Sequence, residues 1–158
     1  MPGGLIRGLV LSMLALTIGA CGGSPPAPSQ NPSLNLTGTW SGVVGAESRG
    51  GRALRVTWTA SQTSSNLSGP TTLLTSPAVT DITLSGTLTG TLTGSQLSLT
   101  YVTLPGGVPG SANCSASGTG SANATTRTIS GTLDVSFASC DGLGLQPPAN
   151  NQLTLTKQ

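Results

Sequence analysis

The chain contains no histidine, and that absence removes most hydrolytic chemistry at the outset. A serine or cysteine nucleophile would have no imidazole to activate it. The spacing of Cys21, Cys114 and Cys140 forms no CxxC pair, so redox-motif and zinc chemistry are excluded as well. Carboxylates are the remaining candidates, and the only four are Glu47, Asp81, Asp134 and Asp141. Glycosidase-type catalysis needs two acids facing each other across a cleft. Asp81 instead opens an apolar-periodic stretch, Asp134 falls on the outward phase of another, and Asp141 follows Cys140 in a turn-like Cys-Asp-Gly. Each reads as a turn or solvated residue. No clustered oxygen-ligand loop suggests calcium. The expectation is a protein that is not an enzyme, with no cofactor and no metal.

Two other groups of side chains could recognise rather than react. Arg49, Arg52 and Arg55 lie with Glu47 in the stretch Gly45–Arg55, where they could contact an anion, a lipid headgroup or a partner. The alternative is a solvated hairpin end with Arg55 pointing outward from a strand. Trp58 and Tyr101 fall on inward phases, and the inward face of Cys114–Ala122 offers only Cys, Ala and Gly. Such small groups either let the opposite wall approach or leave room beside the two aromatics for a small apolar ligand. The stretches Pro105–Asn113 and Gly142–Asn151 are rich in Gly and Pro and poor in reactive side chains. They could carry binding or merely tolerate insertion.

What must position these residues begins with an address. Arg7 precedes an apolar run too short to cross a bilayer as a stable helix, and the run ends in Ile18-Gly19-Ala20-Cys21. This stretch resembles the lipobox signal peptide of bacterial lipoproteins. The resemblance implies cleavage after residue 20, diacylation of Cys21 and anchorage to the bacterial cell envelope by lipid. Gly22, not Asp, follows the cysteine. By the same resemblance that implies delivery to the outer membrane. If Cys21 carries lipid, Cys114 and Cys140 remain as a pair in an oxidising compartment. Their bridge would close a loop of about 26 residues, worth roughly 3.5 kcal/mol in the chain-entropy model. The alternative is two buried free thiols.

Composition bounds the rest. Six Lys and Arg against four Asp and Glu in 158 residues leave the chain almost uncharged. Nucleic acid, which demands many phosphate contacts, is therefore not an expected partner. Residues 21–34 form the lipidated cysteine and a Pro/Ser linker, extended to roughly 40 Å at about 3.1 Å per residue. From Leu36 on, the apolar period is two. In Ile82–Thr93 even positions are apolar or Gly and odd ones Thr or Ser, as in a strand with one buried face. Gly94-Ser95 then reads as a hairpin turn. Folding there pairs Leu92 with Leu97, Gly90 with Leu99 and Leu88 with Tyr101, all on one face.

The same alternation marks Thr39–Val44, Leu54–Ala60, a weaker Thr71–Thr75, Cys114–Ala122, Ile129–Phe137 and Leu153–Leu155. The expectation for residues 35–158 is one all-β domain. It is an antiparallel up-and-down meander of about eight strands closing into a small barrel, with a two-sheet sandwich as the alternative. Inward Gly residues would relieve the curvature of closure. Four aromatics (Trp40, Trp58, Tyr101, Phe137) point inward and the outward face is Thr and Ser, which suits water rather than lipid.

Gly38-Thr39-Trp40 places a Gly-x-Trp on the first strand. This resembles the opening of lipocalins and of avidin/streptavidin-type barrels, which hold a small ligand in the barrel mouth. The resemblance implies that Trp40 closes the barrel base. The biotin site does not carry over: Gly42 stands where those binders place Asn, and Ala46 where they place Ser. The expected function is a lipid-anchored, non-catalytic binding module for a small apolar or amphipathic ligand. The alternatives are a protein-interaction or inhibitor barrel with a filled core, and a structural surface lipoprotein.

Overall fold

The computed structural model describes residues 34–45, 53–75, 81–108, 110, 113–140, 143, 145, 147–148 and 150–158. Eight strands follow one another: β1 (Gly38–Val44), β2 (Leu54–Thr63), β3 (Asn66–Thr75), β4 (Ile82–Thr93), β5 (Gln96–Thr103), β6 (Ser115–Ala124), β7 (Thr128–Ala138) and β8 (Gln152–Lys157). Each pairs antiparallel with its successor, and β8 returns to β1 to close a barrel. Closure, not a sandwich, answers the alternating pattern, because pairing β8 with both β1 and β7 covers most of the edge that strands with few charges would otherwise expose.

The β4–β5 hairpin has the register that the alternation predicts. Leu92, Gly90 and Leu88 face Leu97, Leu99 and Tyr101 respectively. β3 is longer than expected and begins at Asn66, running through Pro70. Its pairing with β4 is continuous, whereas its ladder to β2 skips Gly69 and Pro70. Proline has no N–H to offer a ladder, so the gap falls where a bond could not form. The turn that starts β3, Ser64-Ser65, holds Ser64 at φ 55° without a glycine, within a Thr63-Ser64-Ser65-Asn66 cluster of turn-favouring residues.

Inside the barrel, Trp40, Trp58, Tyr101, Leu73, Leu84, Leu88 and Leu155 are fully buried. Phe137 packs against this core half-buried. Trp40 donates its indole N–H to the Leu36 carbonyl at 2.8 Å, which seats it at the point where the chain enters β1. Close approach of the backbones explains Gly42: a Cβ there would run into the carbonyl oxygen of Thr154 on β8. The β1–β8 seam therefore depends on a residue without a side chain.

The two ends of the barrel differ. At one end lie the tight connections Ser64-Ser65, Gly94-Ser95 and 125–127, together with the entry segment 34–37. A hydrogen bond links each of these turns to the next element around the barrel. Ser65 O accepts from Leu92 N (2.8 Å), Ser95 O from Ala124 N (2.8 Å) and Arg127 O from Lys157 N (3.0 Å), and Thr39 O accepts from Gln158 N (3.0 Å). Gln62 fastens the entry segment to this base. Its Nε2 donates to Leu34 O at 2.9 Å and its Oε1 accepts from Leu36 N at 2.7 Å. At the opposite end leave the connections 45–53, 76–81, 104–114 and 139–151.

Candidate functional site

Two regions hold the residues singled out above: the loop end and the barrel interior. At the loop end Cys114 and Cys140 form a disulfide with a Cα–Cα distance of 4.5 Å. The bridge ties the strand-proximal end of the 104–114 connection to the exit of β7. The pairing follows from register, because β6 and β7 are neighbours and Ser115 faces Ala138. The start of the same connection is fastened to β4: Leu104 N donates to Ser85 O (3.0 Å) and Ser85 N to Gly107 O (2.7 Å). Val108 is buried beneath it.

On the outer wall just below, Val102 and Leu104 are 54% and 51% exposed, two large apolar side chains facing solvent on one side of the chain. Two such residues separated by one position share a face in extended backbone. Arg55 is exposed on the outer face of β2, in register between Val43 of β1 and Leu74 of β3. Cys21, Arg49 and Arg52 lie outside the described residues, as do Glu47 and Asp141. Asp81 is exposed ahead of β4. Asp134 is exposed on β7 and accepts a hydrogen bond from Asn151 Nδ2 at 2.9 Å. No group of three His, Cys, Asp or Glu among the described residues could hold a metal ion.

Trp58 and Tyr101 sit in the interior, each with 0% of its surface exposed. Neither offers surface even to a water molecule, so the wall they form is packed. Burial raises the Tyr101 phenol well above its ordinary pKa, because the phenolate would lose its hydration. Trp58 Nε1 and Tyr101 Oη have no hydrogen-bond partner. Periodicity could place these two side chains inside. It could not reveal that their polar atoms are orphaned, since that depends on which groups converge from other strands. The small inward residues of β6 belong to the packed wall too, with Ala116, Ala122 and Ala124 all buried.

Together these features are a disulfide-tied end of longer connections, two exposed apolar side chains near it and an unpartnered polar pair in the core. Comparison of the chain with protein-family models, curated proteins and solved structures finds no match.

Proposed function

We propose that this chain is an exported, lipid-anchored envelope lipoprotein whose barrel is a non-catalytic binding module, presenting its loop end to a protein partner. The observation that carries the reading is the polarity of the barrel. The entry segment 34–37, which continues the linker from Cys21, is fastened at the tight-turn end by Gln62. The four longer connections leave from the other end. A lipid on Cys21 would therefore direct the turn end toward the membrane and the loop end away from it. Val102 and Leu104 supply an apolar contact near that end, and exposed large apolar groups are what a partner surface uses. The packed interior around Trp58 and Tyr101 supports the filled-core form of such a module. The absence of histidine supports a non-catalytic role.

The anchor is tested by metabolic labelling with a clickable palmitate analogue in an expressing bacterium. The native chain is expected to take label and pellet with membranes, and Cys21→Ala to lose both. Unlabelled native chain overturns the anchor. The partner surface is tested by placing a photo-crosslinking residue at Leu104 or at Arg127 in the full chain. A discrete cross-linked species is expected at position 104 and not at 127. Equal cross-linking at both positions, or none at 104, overturns the assignment of the loop end.

A further inference from the structure

The barrel closes along only part of its last seam. β8 pairs with β7 from Thr128 to Thr132, and Leu133 N adds one more bond, to Asn151 O at 2.8 Å. β7 itself continues to Ala138, held from Ile129 onward by β6 on its other side. In an antiparallel ladder alternate residues turn their N–H and C=O to the same edge. Leu133 faces the β8 side, so Val135 and Phe137 face it too. Among the described residues neither has a main-chain partner there. The reason for the gap lies in the sequence. Continued past Thr132 and Gln152, the register would set Pro148 opposite Ser136 and Pro147 opposite Phe137. Proline has no N–H to offer the Phe137 carbonyl, so it cannot extend the ladder.

The edge left open is held in place. Ser115 of β6 pairs with Ala138 at its tip, and the Cys114–Cys140 bridge joins the two chains just beyond. Beside the edge lies an open cleft of about 260 Å³, lined by Asp134, Val135, Pro147, Pro148, Asn150 and Asn151. Val135 is buried on the inward face, whereas Phe137, two residues on, stays half-buried. The apolar face of the edge is therefore incompletely covered. Asp134 is the one charge on the segment, and it points outward. Exposed edges are usually guarded by lysine, proline or an inward charge on the strand itself. Asp134–Ala138 carries none of these.

We infer that the Asp134–Ala138 edge of β7 receives an extended segment of the protein partner, which adds to the barrel wall as a strand. This rests on the loop-end reading above and names how the partner is held. Val135 and Phe137 offer two N–H donors and two C=O acceptors, repeating at roughly 6.7 Å along the strand. An extended backbone matches that repeat with donors and acceptors of its own. Side chains set which segment fits. Positions opposite Val135 and Phe137 share their apolar face and are apolar in the incoming strand. The position opposite Asp134 is basic, because like charges directly opposite repel. A second copy of this chain fits less well, since its own Pro147 and Pro148 would have to enter the same cleft. Ser136 stands opposite Ser117, and Ser117 opposite Val102, so the edge lies two strands from the exposed apolar pair and one partner reaches both.

The probe is the acetylated peptide amide Thr-Val-Thr-Val-Lys. In antiparallel register it sets its valines opposite Phe137 and Val135 and its lysine opposite Asp134. Before it is added, the Val135 and Phe137 amides of the isotope-labelled full chain are expected to exchange with solvent at least about 10-fold faster than that of Leu133. On addition, both amide signals shift downfield in the NMR spectrum and their exchange slows. The same peptide with both valines N-methylated lacks the donors and leaves them unmoved. Replacing its lysine by glutamate weakens binding about 3-fold, and Asp134→Lys reverses that preference. Asp134 is exposed, so this variant leaves the core untouched. Full protection of Val135 and Phe137 in the free chain, an equal response to the N-methylated peptide, or a charge preference indifferent to Asp134→Lys would each overturn the proposal. Self-association that protects the same two amides would do so too, by giving the edge to a second copy. A cross-linked species at position 104 with no response to the peptide leaves the loop-end reading standing and overturns this one.

Discussion

The ammonium of Lys157 lies 5.5 Å from the centroid of the Trp40 ring, at the register position where β8 closes on β1. The last strand thus places a cation over the indole that seals the turn end, and the same indole donates to Leu36 O. Cation–π contacts of this kind are worth about 0.5–2 kcal/mol, depending on desolvation. Removing either partner should loosen closure, and removing both should cost less than the sum.

A double-mutant cycle measures this. Lys157→Met is expected to destabilise by about 1 kcal/mol, and Trp40→Phe by about 2 kcal/mol through the additional loss of the indole hydrogen bond. Denaturant unfolding should give a coupling of about 0.5–1 kcal/mol. Strict additivity would show that the ring and the ammonium do not interact.

Gly42→Ala is expected to cost more than about 2 kcal/mol, because its Cβ meets the backbone oxygen of Thr154, which cannot rotate away. Gly86→Ala should cost about 1–3 kcal/mol for a related reason: its Cβ would lie 2.6 Å from both the Tyr101 hydroxyl and the Val102 carbonyl oxygen. Thermal melts of the two variants check this, and an unchanged midpoint for Gly42→Ala contradicts the tight seam.

Replacing Cys114 and Cys140 together by alanine removes a bridge of sequence separation 26. Constraint of the unfolded chain by such a loop is worth about 3.5 kcal/mol. Unfolding of the native and double-alanine chains under oxidising conditions should differ by roughly that amount. Both should retain the same far-ultraviolet signature, because the barrel ladder does not run through the bridge.

Tyr101 is the only tyrosine, so phenolate absorbance reports it alone. Its folded pKa is raised by burial, whereas the unfolded chain releases the proton near the ordinary value of about 10. The folded form therefore holds the proton after the unfolded form has lost it. Below about pH 10 this group leaves stability unchanged; above it, stability falls by up to about 1.4 kcal/mol per pH unit. Unfolding measured from pH 8 to 11 should show that slope in the native chain and lose this contribution in Tyr101→Phe. Phenolate appearing before unfolding would contradict the burial.

Much of this barrel was legible before any fold was known, because a strand with one wet face must alternate. Ile82–Thr93 does so without exception, and Gly94-Ser95 leaves one turn that keeps Leu88 and Tyr101 on the same side. β3 was half hidden: Gly69-Pro70 interrupts its pattern, and Ser64 adopts a left-handed turn that glycine usually marks. The pairing of Cys114 with Cys140 was legible from cysteine arithmetic and the lipobox resemblance, and the adjacency of β6 and β7 supplies its geometry. Other features depend on what converges from strands far apart in sequence, and no local pattern encodes them. Closure through Gly42 and Thr154, the contrast between turn end and loop end around Gln62, and the unpartnered Trp58 and Tyr101 atoms are of this kind. Local alternation determines which face of each strand is buried; only the closed barrel decides what each buried atom meets there.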